Sequence, residues 1–315
     1  MLRILGKTGI EVSPLCFGSL TMTPFQSNLS TEEGADLLCY GYDKGINFVD
    51  TAQLYDNYAY IKKALDYIPR DKYVIASKSY AYDSVTAEEA LKQALQELDT
   101  DYIDIFLLHE QESEYTIKGH YEALEYFIKA KEKGYIRAVG ISTHRVSGVL
   151  GANKYPEIEI LHPILNKKGL GIIDGSVENM MEALKISKSL SKGIYSMKPL
   201  GGGHLISEIE SAVSFLRDLD FIDCIAIGMQ SKEEIECNLS LFETGSYPDL
   251  LKEELSKKRR KLIIEEYCTG CMNCIKRCKQ GALEIKDGKA QVNLEKCVLC
   301  GYCATVCEDF YIKVV

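Results

Sequence analysis

The sequence of 315 residues contains no apolar run of about 18 residues, the length that a membrane-spanning helix needs. Its first residues, MLRILGKTGIEV, lack the apolar stretch of a secretory signal. Positive charge is not in excess either. The net charge is −9, which argues against binding to nucleic acid or to an anionic membrane surface. These absences predict a cytoplasmic protein that binds neither nucleic acid nor membranes.

Charge and cysteine are unevenly distributed along the chain. Residues 256–315 carry 12 Lys/Arg and 7 Asp/Glu and are net positive. Residues 1–255 carry 25 Lys/Arg and 39 Asp/Glu and are net negative. Eight of the 12 cysteines lie between Cys268 and Cys307, and in a reducing compartment such a cluster indicates metal rather than disulfides. The other four are scattered among apolar residues and are expected to be buried structural thiols: Cys16, Cys39, Cys224 and Cys237. Two different modules are therefore expected.

The first module alternates short apolar runs with helix-periodic segments, which predicts parallel strands joined by helices. We interpret eight runs as strands: 13–17, 47–51, 73–78, 102–109, 138–143, 158–163, 193–199 and 223–229. Eight such units in about 250 residues predict a (β/α)8 barrel, also called a TIM barrel, in the α/β class. A doubly wound open sheet needs a G-x-G-x-x-G turn after the first strand, but GSLTMTP follows Phe17.

Helix starts and module boundaries follow from local signals. Capping boxes are predicted at Ser30 with Glu33, Thr86 with Glu89, and Ser231 with Glu234. Beyond Phe242 a turn precedes a charged helical stretch that contains the KKRRK run, which favours a solvated helix face over a nucleic-acid site. We expect three parts, which are the barrel (1–245), a linker helix (246–263) and a cysteine module (264–315).

Four ionisable residues fall where predicted strands of the barrel end. Asp50, Lys78 and His109 end the second, third and fourth strands, and Tyr55 lies in the loop after Asp50. Singly, each has an ordinary structural role. Together on one rim they predict a proton-transfer site in which Tyr55 is the general acid and His109 orients a substrate carbonyl. Lys78, held by Asp50, is expected to lower the phenol pKa from ~10.

The segments GINFVDTAQLYDN (45–57), ASK (76–78), DIFLLH (104–109) and RAVGIST (137–143) resemble the aldo-keto reductase superfamily. The resemblance covers most of residues 1–242. It implies NADP(H)-dependent carbonyl reduction or alcohol oxidation. The family's catalytic Asp, Tyr, Lys and His fall on Asp50, Tyr55, Lys78 and His109, and none of the four is replaced.

The same resemblance assigns the nicotinamide-cofactor contacts. Met197 replaces the usual aromatic that stacks on the nicotinamide, and Glu234 stands where many members carry Arg for the 2′-phosphate. An acid there repels that phosphate, which weakens the case for NADP(H) over NAD(H), and Lys232 is the cation that would offset it. The expected contacts are Gly18, Ser142, Thr143, Met197, Pro199, Leu200, Gly201, Gly228, Met229, Ser231, Lys232, Glu234 and Asn238.

The cysteine module repeats C-x2-C-x2-C-x3-C with an offset of 29 residues. This spacing suits a metal-sulfide cube, whereas zinc leaves the third cysteine of each run unexplained. The module resembles bacterial two-cluster ferredoxins, a small α+β iron-sulfur fold, although Lys279 and Glu308 replace the usual Pro after each fourth Cys. That resemblance implies two 4Fe-4S clusters. The first is held by Cys268, Cys271, Cys274 and Cys307, and the second by Cys297, Cys300, Cys303 and Cys278.

Hydride transfer moves two electrons together, whereas a cluster passes one, so a carrier such as a flavin is a third candidate cofactor. A linker helix over 249–263 spans about 22 Å at 1.5 Å per residue. It would place the cysteine module near the catalytic mouth of the barrel.

Three hypotheses follow. The leading one is an oxidoreductase that acts on a small carbonyl or alcohol and exchanges electrons with a ferredoxin-like partner through its clusters. The alternatives are an NAD(P)H-only carbonyl reductase with structural or sensing clusters, and a non-catalytic electron-transfer subunit. Loops 52–60, 110–120 and 243–250 contain nothing that identifies the substrate.

Overall fold

The computed structural model describes residues 2–24, 26–256, 261–297, 303–307, 309 and 311–314. A hairpin of β1 and β2 precedes eight parallel strands that close into a barrel in the order β10-β3-β4-β5-β6-β7-β8-β9. Each strand predicted from the apolar runs is present, so the barrel is confirmed. The bounds are β1 (Arg3–Ile4), β2 (Glu11–Val12), β3 (Leu15–Gly18), β4 (Phe48–Asp50), β5 (Val74–Ser79), β6 (Ile103–Leu108), β7 (Ile136–Thr143), β8 (Ile160–Pro163), β9 (Gly193–Ser196) and β10 (Cys224–Gly228).

Helices cover the outside of the barrel and continue beyond it. Two short 3-10 helices, Ser19–Met22 and Gln53–Tyr55, lie in the loops after β3 and β4. The α-helices are α1 (Thr31–Asp43), α2 (Tyr58–Leu65), α3 (Ser84–Leu98), α4 (Glu114–Gly119), α5 (Tyr121–Glu132), α6 (Val146–Ala152), α7 (Val177–Ser189), α8 (Ile209–Arg217), α9 (Lys232–Thr244), α10 (Asp249–Ser256) and α11 (Asn273–Arg277). None of the described helices is both long and apolar enough to cross a membrane.

The structure confirms one of the predicted helix starts and corrects another. Ser30 and Glu33 form the full capping box of α1, as expected. Helix α3 begins earlier than predicted, because the Asp83 carboxylate accepts the N–H of Thr86 at 2.8 Å and so supplies the N-cap. The Thr86–Glu89 box is therefore wrong.

Two apolar cores build the barrel. The larger one lies between strands and helices, and the smaller one fills the barrel interior. Leu5, Ile10 and Val12 belong to the interior core, so the unpredicted β1–β2 hairpin packs its apolar side chains into it. Of the four scattered cysteines, Cys39 is half-buried and the other three are buried. This packing fixes the strand ends at the opposite, open face, where parallel strands present their loops.

The cysteine module contains two small antiparallel pairs of strands. Strand β11 (Leu262–Ile264) pairs with β14 (Ile312–Val314), and β12 (Leu283–Lys286) pairs with β13 (Lys289–Val292). The predicted helix over 249–263 is thus wrong in its second half, because α10 ends at Ser256 and Leu262–Ile264 form a strand. Leu262 is buried and the β-branched residues Ile263 and Ile264 are half-buried, a composition that suits a strand. Residues 257–260 of the KKRRK run lie outside the described residues.

Candidate active site and cysteine cavity

A buried ion pair joins two neighbouring strands at the open face of the barrel. Asp50 ends β4, and Lys78 is the penultimate residue of the adjacent strand β5. The Lys78 Nζ donates to both carboxylate oxygens of Asp50, at 2.8 and 2.7 Å, and to the backbone oxygen of Thr51 at 2.6 Å. Lys78 is only 1% exposed, and a charge so deeply buried is tolerated because its three donors are satisfied.

Tyr55 and His109 complete the predicted group. Tyr55 ends the 3-10 helix after β4, and its ring centroid lies 5.1 Å from the Lys78 Nζ. His109 directly follows β6, and its ring meets that of Tyr55 edge-on, with 6.2 Å between centroids. On its other side, the Tyr80 ring stacks on His109 at 4.4 Å. The structure therefore brings the four predicted residues together at the open face of the barrel.

The expected effect of Lys78 on the phenol is not met. Burial raises the pKa of Tyr55 well above its ordinary value, and the nearby carboxylates of Asp50 and Glu110 raise it further. The physical reason is that the Lys78 ammonium is bound by Asp50, so the pair presents little net positive charge to Tyr55. The phenol therefore stays protonated through neutral pH, which suits a proton donor.

His109 is held in its neutral form. Burial lowers its pKa well below the ordinary value, and the charge of Lys78 lowers it further. Among the described residues, no group forms a hydrogen bond with its buried Nδ1. A buried polar atom without a partner, on a ring that packs edge-on against Tyr55, is a feature that a polar ligand can satisfy.

Two buried residues that the sequence analysis missed extend this network. The Tyr195 hydroxyl donates to the Asp50 Oδ1 at 3.0 Å. The His162 ring stacks on Tyr195 at 4.0 Å, and its Nε2 lies 3.7 Å from the same carboxylate oxygen. Both sit on strands that were predicted, at positions whose side chains point into the barrel. The available signal was that a polar residue in a buried strand needs a polar partner.

Ser142 and Thr143, the residues expected to hold the carboxamide, are both fully buried at the end of β7. The Ser142 Oγ accepts the N–H of Glu110 at 2.9 Å. The Thr143 Oγ1 accepts the N–H of Arg145 at 3.0 Å. Both hydroxyl oxygens already accept a backbone N–H of a neighbouring loop. A contact with a cofactor would have to form in addition to these hydrogen bonds.

The loop expected over the pyrophosphate has the backbone that an anion cradle requires. Gly201, Gly202 and Gly203 all have positive φ, at 53°, 64° and 95°. A side chain on Gly201 would place its Cβ 2.8 Å from Leu170. Consecutive left-handed glycines let backbone amides approach a phosphate closely. In the same loop Pro199 is buried, and Met197 and Leu200 pack against the large core.

The strand ends expected at the adenosine half of the cofactor are tightly packed. Gly18 and Gly228 pair in register on β3 and β10. A Cβ on Gly228 would lie 2.1 Å from the Thr21 side chain, and the Thr21 hydroxyl donates to the backbone oxygen of Met229 at 3.2 Å. Thr21 therefore fills the space beside these residues.

The start of α9 is already capped by acidic groups. The Ser231 Oγ accepts the N–H of Glu234, whose carboxylate accepts the N–H of Gln230 at 2.7 Å, so only one half of the predicted capping box forms. Lys232, expected to offset Glu234, lies over the Tyr40 ring at 5.1 Å instead. The arrangement does not fit a 2′-phosphate, because carboxylates occupy the helix start where an anion would bind.

Asn238 keeps one polar atom available to a ligand. Its side-chain nitrogen donates to the backbone oxygen of Glu234 at 2.9 Å. Its buried Oδ1 has no hydrogen-bond partner among the described residues.

The first predicted set of cysteines lines one cavity in the module. Cys268, Cys271, Cys274 and Cys307 all contribute to its wall. The cavity depends on a tight turn at Gly270, whose φ is +66° and whose added Cβ would lie 2.3 Å from the Gly288 oxygen. The N–H of Ala290 points at the Cys268 Sγ at 3.4 Å, the kind of bond that stabilises a thiolate ligand. These residues fit an iron-sulfur group.

The second set is described in part. Cys303 is buried, and Cys278 and Cys297 are half-buried against the same small core. The N–H of Ala282 donates to the Cys278 Sγ at 3.4 Å. Cys300 and Glu308 lie outside the described residues.

Groups of the cysteine module lie within electrostatic range of residues at the open face of the barrel. Glu265 is close enough to Tyr55 to raise the phenol pKa further, and Tyr267 and Tyr311 have the same effect on Tyr80. Burial lowers the pKa of Lys198, which follows β9, to about 8, and Lys313 of the module lowers it further.

Comparison with known proteins assigns both parts. The model of the aldo/keto reductase family matches residues 14–210, and that of the 4Fe-4S dicluster domain matches residues 260–308. The chain therefore belongs to the aldo/keto reductase family and carries a 4Fe-4S dicluster domain at its C-terminal end.

The alignments with similar curated proteins cover 63% or less of this chain in the two examples below. A probable aldo-keto reductase 1 of Glycine max is 28% identical over 215 residues, which cover 63% of this chain and 59% of the relative. L-Galactose dehydrogenase of Arabidopsis thaliana is 26% identical, over 56% of this chain and 64% of the relative. The chain thus spans about three fifths of these relatives.

Solved structures support the fold. The holo form of an aldo-keto reductase from Bacillus halodurans superposes with a TM-score of 0.66 at 21% identity, over 81% of this chain and 95% of that chain. A putative aldo-keto reductase from Pseudomonas aeruginosa gives a TM-score of 0.67 at 23% identity, over 78% and 95%.

Proposed function

We propose that the chain is an iron-sulfur oxidoreductase that reduces a small carbonyl, or oxidises the corresponding alcohol, with Tyr55 as general acid and base. The observation that carries the proposal is the buried Asp50–Lys78 pair beside Tyr55 and His109 at the open face of the barrel. When bound, a nicotinamide supplies a hydride and iron-sulfur clusters supply single electrons.

The residues of the chain act on the substrate oxygen. In reduction, the Tyr55 hydroxyl gives its proton to the carbonyl oxygen as a C–H bond forms at the carbonyl carbon, which yields the alcohol. The phenolate left behind attracts the Lys78 ammonium, 5.1 Å from the ring centroid, more strongly than the neutral phenol does, although the carboxylate of Asp50 offsets part of this attraction. His109, neutral and buried, hydrogen-bonds to the same substrate oxygen and orients it. Oxidation runs through the same positions in reverse.

The cofactor set belongs to this proposal. Cys268, Cys271, Cys274 and Cys307 hold one 4Fe-4S cluster, and the remaining four cysteines of the module hold a second. The glycine loop at 201–203 suits a pyrophosphate, whereas Glu234 opposes a 2′-phosphate, which together favour NAD(H) over NADP(H). A flavin is the proposed carrier between one-electron clusters and a two-electron substrate. A ferredoxin-like protein is the proposed redox partner.

The test compares Tyr55→Phe with the parent protein, both purified without oxygen and analysed for iron, sulfide, flavin and nicotinamide. Reduction of 4-nitrobenzaldehyde is measured with NADH, NADPH or reduced methyl viologen as donor. We expect Tyr55→Phe to lose activity by about 10²-fold or more, because the proton donor is gone. Tyr67→Phe, at an exposed tyrosine far from the pocket, is the control.

Retained activity in Tyr55→Phe would remove the proposed acid. Turnover with NADH that survives loss of the clusters would favour the NAD(P)H-only alternative. Protein that takes up no flavin would remove the flavin carrier from the proposal.

A further inference from the structure

The hydroxyl of Tyr195 supplies a second hydrogen bond to Asp50 inside the barrel. Tyr195 lies on β9 and is fully buried, and its hydroxyl donates to the Asp50 Oδ1 at 3.0 Å. The same oxygen accepts from the Lys78 Nζ at 2.8 Å. The carboxylate is therefore shared between an ammonium and a phenol.

Two neighbouring rings fix the position of Tyr195. Its ring stacks on His162 with 4.0 Å between centroids and packs against Phe48 at 5.1 Å. The His162 Nδ1 also lies 2.8 Å from the backbone oxygen of Tyr195. Burial lowers the pKa of His162 to about 4, so the imidazole is neutral at pH 7. Since a carbonyl oxygen can only accept, we assign the single ring proton to Nδ1.

This tautomer leaves His162 unable to donate to Asp50. Its Nε2, 3.7 Å from the Asp50 Oδ1, has a lone pair and no proton. The interior core also contains the thiol of Cys16, and burial raises the pKa of that thiol well above its ordinary value, so it carries no charge. In the described part of the chain, Tyr195 is therefore the one neutral side chain that donates to the Asp50 carboxylate.

We propose that Tyr195 is a positioning residue that keeps part of the Lys78 charge available to Tyr55. By donating to Asp50, its hydroxyl takes up part of the negative charge of the carboxylate, so Lys78 is less completely neutralised. The Lys78 Nζ, 5.1 Å from the centroid of the Tyr55 ring, can then attract the phenolate that forms when Tyr55 gives up its proton. The inference rests on the role of Tyr55 in the proposed function.

Several other ionisable groups act on the Tyr55 hydroxyl. His109 meets the Tyr55 ring edge-on, and burial keeps its imidazole neutral. Burial is the main cause of the raised pKa of Tyr55, and four groups raise it further: Asp50, Glu110, Tyr80 and Glu265. Of these four, Asp50 forms the hydrogen bond with Tyr195. Loss of the Tyr195 hydroxyl is therefore expected to act on Tyr55 through Asp50 and Lys78.

The experiment measures the ionisation of the phenol at position 55 in the full-length protein. Tyr55 is replaced by trifluorotyrosine, because ring fluorines lower the phenol pKa below the ~10 of tyrosine, and the titration is followed by fluorine NMR. Tyr195→Phe keeps the stacked ring and removes the hydroxyl. We expect this variant to raise the pKa at position 55 by about half a unit, a roughly threefold loss in the ionisation constant.

Tyr60→Phe is the matched control. Tyr60 is also a buried tyrosine, and its hydroxyl donates to the backbone oxygen of Leu29 at 2.7 Å in the outer core. An unchanged or lower pKa at position 55 in Tyr195→Phe would overturn the inference. An equal rise in Tyr60→Phe would do the same, because it would trace the effect to a general loosening of the core.

Turnover separates this inference from the proposed function. For reduction of 4-nitrobenzaldehyde with NADH, we expect Tyr195→Phe to lower kcat about threefold and to leave KM unchanged, because Tyr195 is buried and acts through Asp50. A loss confined to KM would contradict this role. A parent protein that shows the expected phenol shift but reduces no carbonyl would support the role of Tyr195 and count against the proposed function.

Discussion

The barrel and the cysteine module place their reactive side chains in very different surroundings. In the barrel, Asp50 and Lys78 sit within two continuous apolar cores and are 5% and 1% exposed. Among the described residues of the module, two of the seven buried ones in the small core are themselves cysteines, Cys274 and Cys303. The barrel therefore holds its ionisable group within a large apolar core, whereas the described part of the module has only a small one.

This difference indicates that folding is coupled to ligand binding in the module and not in the barrel. A domain of roughly 50 residues usually needs disulfides or metal to stay folded, and in such domains the free energy of metal binding contributes to folding. A barrel of about 245 residues has no such need. Loss of a ligand thiol should thus unfold the module and leave the barrel intact.

The largest expected effect comes from Cys274→Ser, which removes a buried thiol from the first cysteine set. We expect loss of most iron-sulfur absorbance near 400 nm. Hydrogen exchange should speed up in β11 and β14 while β6 stays protected. The physical reason is that the serine hydroxyl is a poor iron ligand and the small core cannot hold the cavity closed.

Cys237→Ser is the control, because Cys237 lies on the buried face of the barrel helix α9 and belongs to neither predicted cysteine set. Exchange that accelerates equally in β6 and β11 would show that the two parts unfold together.

A second, smaller effect is expected within the barrel from Lys78→Met. The substitution leaves Asp50 buried without its cation, and breaking such a pair typically costs about 3–5 kcal/mol. Urea unfolding followed by circular dichroism measures the loss. The double variant Asp50→Asn with Lys78→Met should regain most of this stability but none of the activity, because both charges are gone.

Equal stability of the single and double variants would contradict the idea that an uncompensated charge causes the loss. It would indicate that packing around residue 78 matters more than its pairing.

The contrast also explains what the sequence could reveal. The eight strands and the group Asp50, Tyr55, Lys78 and His109 were predictable, because strand ends of one barrel meet at one face and the apolar runs mark those ends. The sequence could not predict that the pKa of Tyr55 is raised rather than lowered, since this depends on burial and on how fully Asp50 neutralises Lys78. Distances and burial decide that balance, and spacing along the chain contains neither.

Outside the barrel, short-range signals were less reliable. The charged stretch after α9 has helical composition, yet Leu262–Ile264 pair with a strand about 50 residues later. Long-range pairing of this kind overrides local propensity. Similarly, the link between Tyr195 and Asp50 joins residues 145 positions apart, and no local motif marks it.

The smallest expected effect is a pH dependence confined to the barrel. Burial lowers the pKa of His162 to about 4, although Asp50 partly opposes the shift. Since the unfolded pKa is about 6.5, the unfolded chain binds more protons between these values, and stability falls as the pH drops from 6.5 to 4. The contribution of this residue is on the order of 3 kcal/mol at most.

His162→Phe tests this pH dependence, because the ring can still stack on Tyr195 but cannot titrate. Urea midpoints at pH 7 and pH 4.5 should differ less in the variant than in the parent. His120→Phe, at a half-buried histidine on the surface side of the barrel, is the comparison variant. Burial also lowers the pKa values of His109 and His144, so part of the acid sensitivity should remain. If His162→Phe leaves the difference between the two urea midpoints unchanged, the acid sensitivity comes from His109 and His144 rather than from His162.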